Sequence, residues 1–170
     1  MDSNILIRPI NENDALSIIN LRKKLSIETP YMLQDSKEVC EDENKCKNNI
    51  KNFLESENML YLVAYCENEL VGFITCNYRD FKRVRHVSSF VIGVLSKFWG
   101  IGISQDLLDK TILWCNSKNI KRLELEVVEE NLRAVNFYKK NGFYIEGKKI
   151  KDHFIDENNY LNTLIMAKFL

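Results

Sequence analysis

The sequence predicts a mixed α/β fold, with a mostly antiparallel central sheet flanked by helices. Three observations carry that expectation. Apolar residues switch repeatedly between a two-residue period and a period of about 3.6, the strand and helix repeats. The chain has 170 residues, 45% hydrophobic and 28% charged, enough for one domain with a real core. Two strand-like segments bracket a helix at 102–116, and a crossover of that kind makes its strands parallel. With only two prolines and no low-complexity segment, residues 1–170 read as a single domain.

The elements follow in order. Ile5 to Pro9 reads as an edge strand, because Pro9 cannot donate to a ladder. Asn13 can cap a helix whose inner face carries Leu16, Ile19 and Leu25. Glu28 to Leu33 breaks the pattern, since Pro30 disfavours helix at Thr29. A second helix is expected over 36–56, opened by a capping box of Asp35 with Glu38. Its buried stripe would be Val39, Cys46, Ile50, Phe53 and Leu54. Strands at 59–66 and 70–77 flank a hairpin turn at Glu67-Asn-Glu69. A longer strand runs over 84–94, next to a basic cluster of Arg79, Lys82, Arg83 and Arg85.

Beyond it, Ile103, Leu107, Leu108, Thr111, Ile112 and Cys115 share one face of the helix at 102–116. Leu123, Leu125 and Val127 alternate with Glu124 and Glu126, a strand over 122–128. Asn131 caps a short helix that stops before Gly142. Two strands, 143–151 and 161–168, close the chain around a polar loop at 156–159.

Composition narrows the function. Formal net charge is zero, from 24 basic and 24 acidic side chains, which argues against a long nucleic acid as partner. The cysteines, Cys40, Cys46, Cys66, Cys76 and Cys115, form no Cys-x-x-Cys pair and no zinc spacing; reduced, mostly buried thiols are expected. Met1-Asp-Ser-Asn4 lacks the basic start of a secretory signal. No apolar run approaches the roughly 20 residues that span a bilayer. A cytoplasmic protein without a membrane, nucleic-acid or metal partner is expected, as a monomer or homodimer.

The chemistry is concentrated at Trp99-Gly-Ile-Gly-Ile-Ser104. A strand ends just before it and a helix starts just after it. The first amides of a helix have no partners within it, and its dipole favours an anion there. Gly100 and Gly102 remove side chains that would block a phosphate. A P-loop would need Gly-Lys-Ser/Thr, but Ile103-Ser104 follow Gly102. A dinucleotide fingerprint would need a third glycine where Gln105 stands. A tight turn without a ligand stays open on these residues alone.

A second motif changes the weight of the first. Asn131, Ala134, Tyr138, Gly142 and Phe143 match the pattern Asn-x-x-Ala-x-x-x-Tyr-x-x-x-Gly-Phe. Together with the glycine turn and the opening Ile7-Arg-Pro9, the chain resembles the GCN5-related N-acetyltransferase (GNAT) superfamily over essentially its whole length. The family's pyrophosphate motif, Gln/Arg-x-x-Gly-x-Gly/Ala, falls on Trp99 to Ser104, with Trp99 departing from it as in a Trp-Gly-x-Gly branch.

The resemblance implies two splayed parallel strands forming an acetyl-coenzyme A cleft, and acetyl transfer to a primary amine. Ile92 and Val94 would pair with the pantetheine arm. Trp99, Gly100, Ile101, Gly102, Ile103 and Ser104 would hold the pyrophosphate, and Asn131 would contact the cofactor. Tyr138 would be the general acid. The family's strand glutamate falls on Ser89, which leaves the base open among Glu126, Glu28 and His86. Glu28 and Tyr31, with the loop at 156–160, would shape the acceptor pocket. The acceptor, a small molecule, polyamine, protein N-terminus or lysine, stays open, as does a coenzyme A-binding sensor without catalysis.

Overall fold

The computed structural model describes residues 4–170; Met1 to Ser3, on which the reading of the chain start rests, lie outside the described residues. The elements run β1 (Ile5–Pro9), α1 (Ala15–Glu28), α2 (Glu43–Leu54), β2 (Met59–Cys66), β3 (Glu69–Tyr78), β4 (Val87–Val94), α3 (Ile103–Ser117), β5 (Arg122–Val128), α4 (Leu132–Lys140), β6 (Tyr144–Asp156) and β7 (Asn159–Phe169). They form one seven-stranded sheet in the order β1-β2-β3-β4-β5-β7-β6. Every neighbouring pair is antiparallel except β4 with β5. The expected mixed fold and its single parallel pair are therefore both present. The β2–β3 turn narrows to Glu67 and Asn68, whose φ of 49° and 71° give the primed turn that matches strand twist.

The helices cover both faces. Gly72 and Gly93 stand on neighbouring strands one step apart in register, so their Cβ directions oppose. A Cβ on Gly93 would meet Leu25 of α1 at 2.8 Å, whereas one on Gly72 would meet Val94 at 2.9 Å and lie near Ile103 of α3. α1 thus covers one face and α3 the other. Gly93 is the point where α1 closes onto the sheet, which brings the segment after Glu28 over β4. Leu107 and Leu108 of α3 are fully buried, worth about 1.5–3 kcal/mol each.

Three helix details differ from the expectations. α1 is preceded by a single 3-10 turn, Glu12–Asp14, and Asn11 rather than Asn13 is the cap, with Asp14 completing its capping box. That shift turns Leu16 outward, and Ala15, Ile18, Ile19, Leu21 and Leu25 are the buried positions. The helix expected from residue 36 starts at Glu43, because Asp42 takes the cap and accepts from the Lys45 amide at 3.0 Å. Asp35 and Glu38 do exchange hydrogen bonds, but around one isolated turn. Val39 is buried from that turn, while Leu54 is half exposed. β4 begins at Val87, after turns that carry part of the basic cluster, and β6 extends past 151 to Asp156. Cys66, Cys76 and Cys115 are buried thiols, Cys46 is half-buried and Cys40 exposed, with no disulfide among them.

One partly buried ion pair fixes β1 to the turn that opens α1. Asp14 accepts two hydrogen bonds from Arg8, both 2.7 Å, one from the Tyr65 hydroxyl at 2.7 Å, and one from the Asn11 amide at 2.8 Å. Burial pushes its carboxyl up, but these donors outweigh that and hold the pKa below the ordinary value. A depressed folded pKa gives stability above the unfolded value of about 3.9, lost as pH falls through the folded one. Asp14→Ala is expected to destabilise the fold by about 1.5–3 kcal/mol at neutral pH. Urea unfolding should show the difference from the parent shrinking as the medium is acidified below pH ~4.

Candidate active site

β4 and β5 are paired over only three positions, Val87 with Arg122, Ser88 with Leu123 and Ser89 with Glu124. Past that point the strands part. An open cleft of about 1490 Å³ runs between them, lined by Ile92 and Val94 on one side and by Leu125 to Val128 on the other. The glycine turn closes its far end.

That turn has the shape a phosphate needs. Gly100 and Gly102 have φ of +80° and +96°, a region that penalises side chains, and a Cβ on either would meet nothing within 4 Å. Gly102 is the N-cap of α3, and the helix's first bond runs from the Asp106 amide to its carbonyl. The amides of Ile103, Ser104 and Gln105 consequently stay outside the helical ladder. Trp99, Gly100, Gly102, Ile103 and Ser104 line the cleft. Ile101 does not, and its side chain is exposed.

α4 supplies the opposite wall. Asn131 caps it, its side chain accepting from the Ala134 amide at 3.2 Å, and still lines the cleft. Tyr138 is buried among Phe90, Phe137 and Phe143, with ring centroids 5.5–5.9 Å away. Burial pushes its phenol pKa well up, and no neighbouring side chain adds to or opposes the shift. Among the described residues no buried side-chain oxygen or nitrogen lacks a partner. Though buried, Tyr138 is among the residues that line the cleft.

The other half of the cleft is built from the sheet face under α1. The Glu28 carboxylate accepts from the Ser96 amide at 2.8 Å. The Pro30 carbonyl lies 2.7 Å from His153 Nε2 of β6, and the Tyr31 hydroxyl 3.5 Å from the Glu130 carbonyl. The end of α1 and the segment that follows it are thus tied to the 3-10 turn Ser96–Phe98, to β6 and to the β5–α4 connection. Ser89, Glu124 and Glu126 line this half, with Glu126 paired to Lys149 at 2.6 Å. His86 lies at the closed end, outside the lining, its carbonyl accepting from the Lys121 and Arg122 amides. Asp156 and Glu157 are also outside; Asp152 and His153 stand where the 156–160 loop was expected.

Two residues here escaped the sequence reading. Glu124 faces Ser89 in the last residue pair before the strands part; the alternation that exposed Glu126 put Glu124 on the same face. Arg133 sits inside the Asn131–Phe143 motif and lies over the Trp99 ring. Among the described residues no group of three or more His, Cys, Asp or Glu side chains is placed to hold a metal, and no helix is long and apolar enough to cross a membrane.

Comparison with known proteins gives a consistent result. The family model described as acetyltransferase (GNAT) family matches residues 24–143. The L-amino acid N-acetyltransferase of Escherichia coli K12 is 33% identical over 108 residues, 63% of this chain and 66% of its own length. A GNAT-family acetyltransferase of Streptococcus pneumoniae superposes with a TM-score of 0.91 at 27% identity, covering 98% of this chain and 100% of its own. A protein of Salmonella typhimurium solved with its cofactor acetyl-CoA shares the fold, with a TM-score of 0.84 at 16% identity, over 99% of this chain and 95% of its own.

Proposed function

This chain belongs to the acetyltransferase (GNAT) family, and from that premise we propose that it transfers an acetyl group from acetyl-coenzyme A to a primary amine, by direct attack with both bound. The observation that carries the reading is the cleft itself. A phosphate-ready helix start and the buried Tyr138 phenol both line the same gap between β4 and β5.

Each residue then has a physical task. The unladdered amides of α3 hold the pyrophosphate, with Gly100 and Gly102 giving it access. The backbone of Ile92 and Val94 pairs with the pantetheine arm in the manner of an added strand. Acetyl-coenzyme A supplies the thioester. Tyr138, a neutral phenol at ordinary pH whose pKa burial raises further, gives its proton to the departing sulfur. The acceptor meets the half lined by Ser89, Glu124 and Glu126. With serine at position 89, Glu124 is the carboxylate nearest in register to take the ammonium proton, directly or through a water. Glu28 and Tyr31 shape the entrance by holding the segment between α1 and α2 in place.

Thiol release from acetyl-coenzyme A should rise with at least one member of a panel of amino acids, polyamines and N-terminal peptides, and the product should gain one acetyl group by mass. Tight cofactor binding without turnover on any amine would instead make the protein a coenzyme A sensor.

A further inference from the structure

Arg133, on the first turn of α4, places its guanidinium carbon 3.3 Å from the centroid of the Trp99 ring. The ring is itself fixed, since its Nε1 donates to the Val94 carbonyl at 2.7 Å. Both side chains line the cleft. Among the described residues Arg133 has no ion-pair partner, whereas Arg8 and Arg122 are each bound to carboxylates. Partial burial draws its pKa below the ordinary arginine value, and no acid counters the shift.

A guanidinium stacked by its face keeps its rim of N–H donors free. Trp99 directly precedes Gly100, and Arg133 lines the same cleft as Gly100 and Gly102, to which Trp99 brings no charge of its own. The stack also limits the rotamers of a long side chain before any ligand arrives.

We propose that Arg133, held on the Trp99 ring, is a phosphate-binding residue of the cofactor site, donating to phosphoryl oxygens of coenzyme A from the α4 side. It closes over the cofactor opposite the α3 amides, and Trp99 acts as its positioning residue. The assignment rests on the coenzyme A reading above.

The test compares coenzyme A, 3′-dephospho-coenzyme A and pantetheine as ligands in calorimetry. Arg133→Ala is expected to weaken coenzyme A binding about 10- to 100-fold, the span of a hydrogen bond to a charged group, and to leave pantetheine unchanged. Arg133→Lys should recover part of the loss. Trp99→Ala should weaken coenzyme A less, and should add little in an Arg133→Ala background. A loss that persists with 3′-dephospho-coenzyme A places Arg133 on the diphosphate; one that vanishes places it on the 3′-phosphate. Equal losses for coenzyme A and pantetheine would reduce Arg133 to a structural role and overturn the proposal. So would an Arg133→Ala affinity within twofold of the parent. A parent protein that binds no coenzyme A would overturn the cofactor reading itself.

Discussion

Gly102→Glu is expected to lower coenzyme A affinity at least about 100-fold, because a like-charge contact costs several kcal/mol and about 1.4 kcal/mol is tenfold in Kd. The fold should survive. A side chain here meets no neighbour within 4 Å, and a carboxylate at a helix start is favourable to the helix. The positive φ of Gly102 adds strain of about 1–2 kcal/mol for any other residue. Gly102→Ala carries that strain without the charge and should bind far better than Gly102→Glu. Calorimetric titration with thermal unfolding as the control separates the two; a Gly102→Glu affinity equal to the parent's would remove the pyrophosphate from this turn.

Tyr138→Phe is expected to reduce kcat about 100-fold or more, in line with the usual worth of a general acid, with coenzyme A affinity nearly unchanged. The ring remains packed against Phe90, Phe137 and Phe143, so the loss isolates the hydroxyl. Burial raises the phenol's pKa, so in the parent the rate should fall only as pH climbs beyond the ordinary tyrosine range of about 10. An unchanged kcat in the variant would give the acid role to another group or to water.

What was legible in the sequence followed from local rules. The α3 face, the β5 alternation and the Asn131 cap each depend on neighbours within a few residues, and each appears where expected. The helix expected over 36–56 went wrong because two acidic caps compete. Asp35 with Glu38 satisfies the capping pattern, yet the chain turns again so that Val39 can enter the core, and Asp42 begins the helix afresh. The end of β6 was missed for a different cause. It is an edge strand with little burial, so it carries no alternation to read. Of the residues that line the cleft, Gly100, Gly102 and Tyr138 could be picked out in the sequence because their motifs are contiguous. The meeting of Glu124 with Ser89 and of Arg133 with Trp99 was not, since parallel register and the packing of α4 bring together residues 35 and 34 positions apart.

The three ties made by the end of α1 and the segment after it fall between two halves of the cleft with different freedom to change. The glycine end is shaped mainly by main-chain amides and two backbone angles, with the Trp99–Arg133 stack beside them. The other end is walled by particular side chains, among them Glu28, Tyr31 and His153, which also hold the segment in place. On the acetyl-transfer proposal, substitutions there would redirect the protein to a new amine while the donor seat stays as it is. On that proposal, donor choice is written largely in chain geometry, and acceptor choice in a handful of replaceable letters.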